Sequence, residues 1–161
     1  MKRLSTIFAA ALVTTAFAAP AFAASPDVYV VNFRNAQDTN SAKLDGELAT
    51  ALAIAGVNAE EVVIDTSTAA KWEKGAHEAF DRDIVPVFNQ WVGLPGFAAV
   101  VDANSKKVIG CVNSAFSANE MAEKIRQMAA TSQGSAYMSR ASVTTKTTKC
   151  PTAYNVDPAG L

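Results

Sequence analysis

Residues 92–112 read Val-Gly-Leu-Pro-Gly-Phe-Ala-Ala-Val-Val-Asp-Ala-Asn-Ser-Lys-Lys-Val-Ile-Gly-Cys-Val, and the alternation of punctuation and apolar runs in this stretch decides the fold. Leu94-Pro95-Gly96 marks a turn, after which residues 97–101 form a continuous apolar run of strand length. Asp102 and the three residues after it are turn formers, and residues 107–112 resume as a second strand. The stretch therefore predicts a β-hairpin entered through a proline-led loop.

Working towards the amino terminus, residues 27–33 (Asp-Val-Tyr-Val-Val-Asn-Phe) have the β-branched and aromatic character of a buried strand. A polar, turn-like stretch follows at 34–40. Leu44, Leu48 and Leu52 then recur every fourth residue beside Ala49, Ala51 and Ala55, an amphipathic helix stopped by Gly56. Val62, Val63 and Ile64 supply a second short strand. A second helix starts near Thr68 with Trp72, Ala76 and Phe80 on one face. Pro86 breaks or restarts it, because proline lacks the N–H donor and clashes with the preceding turn. Val87, Phe88 and Trp91 form a short helical or irregular segment that ends at Gly93.

Towards the carboxyl terminus, Ser117 and Glu120 have capping-box spacing, and Met121, Ile125 and Met128 give the helix they open an apolar face. The predicted order is β-α-β-α-β-β-α. Beyond residue 131 serine and threonine become abundant and apolar positions sparse, so 131–161 reads as an extension. Residues 143–148 suit either an added sheet-edge strand or a mobile linker.

The chain has 161 residues, half of them hydrophobic, with 14 basic and 15 acidic side chains. That supports one small globular domain and excludes a wholly disordered chain. The near balance of charge offers no basic excess to neutralise phosphates, so no nucleic-acid partner is expected. Residues 1–23 begin with Lys2 and Arg3, run through an apolar stretch from Ile7 to Ala19, and close on Ala21-Phe22-Ala23, the pattern of a cleaved secretory signal. Pro20 ends that run short of the roughly 20 residues needed to span a bilayer, so no membrane insertion is expected after cleavage. The expected domains are a signal peptide at 1–23, a folded domain at 24–130 and the extension at 131–161, in a periplasmic or secreted protein.

Export places Cys111 and Cys150 in an oxidising compartment, where a disulfide is expected. Closing that loop is worth roughly 4 kcal/mol in the chain-entropy model, which favours a staple tying the extension to the hairpin. A regulatory bond whose opening frees the tail, and free or intermolecular thiols, are the alternatives.

A β-α-β unit, a further helix, a proline-led hairpin and a closing helix together resemble the thioredoxin fold over 27–130, a three-layer α/β sandwich. Residues 92–97, Val-Gly-Leu-Pro-Gly-Phe, look like the loop in which that family places a cis-proline before its third core strand. The resemblance implies a peptide-binding surface at Trp91, Leu94, Pro95 and Gly96. It also places the family's Cys-x-x-Cys position at Asp38-Thr39-Asn40-Ser41, where no side chain performs dithiol exchange. Ser41 as a nucleophile would need a neighbouring base, and local sequence supplies none. Asp38, Asn40 or Ser41 is read instead as a helix cap worth about 1 kcal/mol.

His77, with Asp81 four residues on, is too little for a metal site. The acidic residues are too scattered to nominate an acid–base pair. No catalytic residue, cofactor or metal is expected. Trp72, Phe80, Phe88 and Trp91 read as core or near-core packing by their helical spacing, with Trp91 a binding surface if exposed. The leading expectation is a redox-inactive, thioredoxin-like accessory module that binds a protein or peptide. The alternatives are a thiol–disulfide redox protein or sensor using Cys111 and Cys150, and a structural subunit of an envelope assembly.

Overall fold

The computed structural model describes residues 25–134 and 149–153. The expected signal peptide at 1–23 and the strand-forming stretch at 143–148 lie outside these residues. The elements run β1 (Val28–Arg34), α1 (Thr39–Ala55), β2 (Ala59–Asp65), α2 (Ala69–Asp81), α3 (Val85–Trp91), β3 (Phe97–Asp102), β4 (Val108–Asn113) and α4 (Ala118–Ser132). The four strands form one mixed sheet in the order β2-β1-β3-β4. β1 and β2 are parallel, as a helical crossover between them requires, and β3 is antiparallel to both β1 and β4.

Alternation along β1 divides the core in two. Val28 and Val30 join Leu44, Leu48 and Ala51 of α1 and Met121, Ile125 and Met128 of α4 on one face. Tyr29, Val31 and Phe33 join Ala79 of α2 and Val87, Phe88 and Trp91 of α3 on the other. Helices thus cover both faces of the sheet, and each fully buried leucine or isoleucine contributes about 1.5–3 kcal/mol. β3 is buried on both sides along its whole length, which explains its unbroken apolar sequence.

Local signals set the ends of the elements. α1 stops at Gly56 in the left-handed conformation (φ 65°), where a side chain would be strained. Pro86 lies in the first turn of α3, where its missing N–H costs nothing, so it starts a new helix after α2 ends at Asp81. The Glu120 carboxylate accepts the Ser117 backbone N–H at 2.8 Å and closes the capping box of α4. The hairpin turns where Asp102 Oδ1 accepts the backbone N–H groups of Asn104 (3.0 Å) and Ser105 (2.5 Å). On α4, Arg126 Nε donates to Ala55 O at 2.9 Å and a terminal nitrogen to Ile54 O at 3.2 Å, so the last carbonyls of α1 are satisfied from another helix.

The face assigned to α2 is corrected. Trp72 and Phe80 were expected to face the core, but they are 45 % and 73 % exposed, whereas Gly75 and Ala79 are buried. The small residues let the helix axis lie close to β2, and a helix so placed turns its large aromatics outward. Trp72 still meets Phe88 edge-on, with ring centroids 5.8 Å apart.

Candidate functional site

β1 ends at Arg34, and the turn into α1 is built from Asn35 to Asp38. Asp38 is the helix cap. Its backbone is extended and its Oδ2 accepts both the Ser41 N–H and the Ser41 hydroxyl at 2.8 Å. The Ser41 oxygen in turn accepts the Asn35 N–H at 3.1 Å. Ser41 therefore does have a carboxylate beside it, contrary to the sequence reading. It is completely buried, however, and its hydroxyl is engaged with Asp38 and Asn35 of the turn, which closes it as a nucleophile. Thr39 and Asn40 are exposed on the next half-turn, and the Asn40 side-chain oxygen accepts the Ser114 hydroxyl at 3.1 Å.

The loop at 94–96 is brought directly against this helix start. A Cβ placed on Gly96 would stand 3.0 Å from Asp38 Oδ2 and 3.1 Å from Asn40 Cβ, so only glycine fits without displacement. Gly96 N donates to Phe33 O at 2.8 Å and Leu94 N to Trp91 O at 2.9 Å, which fixes both shoulders of the loop. Pro95 projects between them and is exposed. Two pieces of chain singled out separately in the sequence, 38–41 and 94–96, thus form one surface.

Two expectations at this surface are overturned. The Leu94–Pro95 peptide bond is trans, since no cis bond occurs among the described residues. The chain reverses instead through the positive φ angles of Gly93 (94°) and Gly96 (92°), a conformation that glycine adopts without steric cost. Trp91 is also no part of the exposed surface. It is 2 % exposed, packs edge-on against Phe33 and Phe97, and donates its indole N–H to Pro151 O at 3.2 Å.

Cys111 and Cys150 form the disulfide expected. Cys111 belongs to the core on the α2 and α3 side of the sheet, and Cys150 packs against that same core. α1 covers the opposite face. Cys111 lies within β4 and Cys150 in the segment 149–153, so neither sulfur belongs to a helix amino terminus, the position that stabilises a reactive thiolate.

A concavity of about 500 Å³ borders edge strand β2, lined by Arg34, Glu61, Val63 and Asp65 and by α2 residues including Lys71 and Lys74. Its charges are largely spent on one another: Arg34 pairs with Asp45 at 3.1 Å and Lys71 with Asp65 at 3.0 Å. Burial opposes the charge on Asp65, but hydrogen bonds from Ser67 and Lys71 outweigh it and hold the carboxyl at about 2. Asn32, buried beneath, donates to Asp45 (2.9 Å) and Glu61 (3.0 Å). The sequence reading missed this network because its members come from β1, β2, α1 and α2, and Asn32 looked like one polar interruption in a strand. His77 is exposed on α2, and no cluster of potential metal ligands occurs among the described residues.

Comparison of the chain with protein-family models, with curated proteins and with solved structures finds no match in any of the three.

Proposed function

We propose that this chain is an exported, thioredoxin-like domain that has lost dithiol chemistry and binds an extended segment of a protein or peptide partner at the surface joining 38–41 to 94–96. The observation that carries this reading is the contact of Gly96 with Asp38 and Asn40. It brings a proline-led loop against a helix start, where the resembling family has its reactive thiols, and here a carboxylate cap and a sealed serine occupy the place. The strand order β2-β1-β3-β4 with β3 antiparallel supports the same resemblance. Fold similarity alone names no activity, so the reading rests on this surface. Thr39, Asn40 and Pro95 are exposed there, and an extended segment laid across the loop and the helix start would meet the Asn40 carboxamide and the Thr39 hydroxyl.

Selection of random displayed peptides on the mature protein tests the proposal. Enriched peptides should perturb the amide resonances of 38–41 and 94–96 and lose binding in Asn40→Arg, a bulky change at an exposed position of this surface. Absence of enrichment, or shifts confined to another face, would refute it.

A further inference from the structure

Residues 149–153 cover a residue on which the loop of the candidate site is built. Cys150 is bonded to Cys111, and the carbonyl of the next residue, Pro151, accepts the Trp91 indole N–H. Trp91 is the last residue of α3, and its own carbonyl accepts from Leu94 N. Trp91 also contacts Phe33, whose carbonyl holds Gly96 N. Both shoulders of the loop are thus hydrogen-bonded to backbone carbonyls of two residues whose rings pack together, and the carboxyl-terminal segment is hydrogen-bonded to one of them, Trp91. Pro151 and Thr152 are themselves exposed.

We propose that 149–153 is a releasable cover, and that the seat beneath it takes an extended segment of a partner once a dithiol has opened the Cys111–Cys150 bond. The proposal adds a control step to the function proposed above. The two sulfurs differ in access, since Cys111 is 3 % exposed and Cys150 only half-buried. A thiolate of the dithiol attacks Cys150 Sγ, the bond to Cys111 breaks, and its electron pair leaves on Cys111 Sγ, which takes up a proton. The second thiol of the reagent then displaces Cys150, which leaves as a thiol. The reagent ends as its disulfide and the protein as two thiols. The cover itself indicates what the vacated seat accepts: an extended backbone with a carbonyl for the indole N–H, preceded by a small apolar side chain over Cys111. An indole donor left unpaired in an apolar setting is costly, which favours refilling by a carbonyl of this kind.

The test uses the mature chain with Trp72→Phe, which leaves Trp91 as the single indole. Dithiothreitol should shift its emission to the red and raise acrylamide quenching several-fold with the far-ultraviolet circular dichroism unchanged, and alkylation should reach Cys150 before Cys111. In the further variant with Cys111→Ser and Cys150→Asp, whose own segment carries a charge that the apolar seat rejects, a synthetic pentapeptide of sequence Lys-Ala-Pro-Thr-Ala should saturably reverse the shift, and it should have no effect on the oxidised protein. Three results would each overturn the proposal: unchanged Trp91 emission after verified reduction, loss of secondary structure along with the shift, or failure of the pentapeptide to restore the emission. Binding of the selected peptides by the oxidised protein is measured separately, so failure of the cover does not count as failure of the site at 94–96.

Discussion

Gly75 of α2 lies against Ile64 of β2 so closely that a methyl group at position 75 would stand 3.4 Å from Ile64 Cα and 3.5 Å from its Cδ1. Those are ordinary contact distances, so alanine fits there and a larger side chain does not. Gly75→Ala should be neutral or stabilising by up to about 1 kcal/mol, through helix propensity. Gly75→Leu should force α2 away from the sheet and cost about 1–3 kcal/mol. Gly46, in the interior of α1 with nothing within 4 Å of its added Cβ, isolates the propensity effect, and Gly46→Ala should gain about 0.5–1 kcal/mol. Urea denaturation midpoints at constant slope measure all three.

Removal of the α1 cap should be felt beyond the helix end. Asp38→Ala deletes the acceptor for the Ser41 N–H and for a fully buried hydroxyl at once. A cost of about 1–2 kcal/mol is expected, at the upper end for a helix cap. Asp38→Asn should recover part of it, because its side-chain oxygen still accepts the Ser41 N–H. Equal denaturation midpoints for the two variants would refute this account of the cap.

Acid should weaken the fold through Asp65. Its carboxyl is held at about 2 in the folded chain, against about 4 when unfolded. A depressed carboxylate contributes stability that is complete above the unfolded value and lost as pH falls towards the folded one. The wild-type protein should therefore lose stability between about pH 4 and pH 2 more steeply than Asp65→Asn, which lacks that titration. Thermal melts across this range, taken on both proteins, provide the comparison.

Replacing both cysteines by serine should lower stability by up to about 4 kcal/mol, the chain-entropy value for closing this loop. The secondary structure should survive at 25 °C, because α4 is held by its own apolar contacts with α1 and the sheet. In an insulin-reduction assay the wild-type protein should show no turnover, since Cys111 is buried within β4 and neither cysteine stands at a helix start. Turnover abolished by Cys111→Ser would instead establish a thiol–disulfide enzyme.

The features legible in the sequence were those with local causes. Gly56 ends α1, Pro86 restarts the helix as α3, Glu120 closes the cap of α4, and the turn at 102–105 sets the hairpin. The joining of Cys111 to Cys150 followed from compartment chemistry. What stayed hidden depends on contacts between distant segments. The periodicity of Trp72, Ala76 and Phe80 correctly marks a helix, but only the fit of Gly75 on Ile64 determines which side faces the sheet. The indole N–H of Trp91 finds its acceptor on Pro151, 60 residues away. The trans bond before Pro95 became compatible with the turn because glycines on both sides carry the reversal, which the residue types permitted without dictating. The Asn32 and Arg34 network was likewise invisible until β2 and α1 were placed beside β1.

Arg126 also bears on the order in which the protein assembles during synthesis. Because the carbonyls of Ile54 and Ala55 find their donors on α4, the closing turn of α1 gains these bonds only once the last helix has docked. A nascent chain stopped before residue 118 would carry the sheet with its α4 side bare, a sticky intermediate that a holding chaperone would recognise.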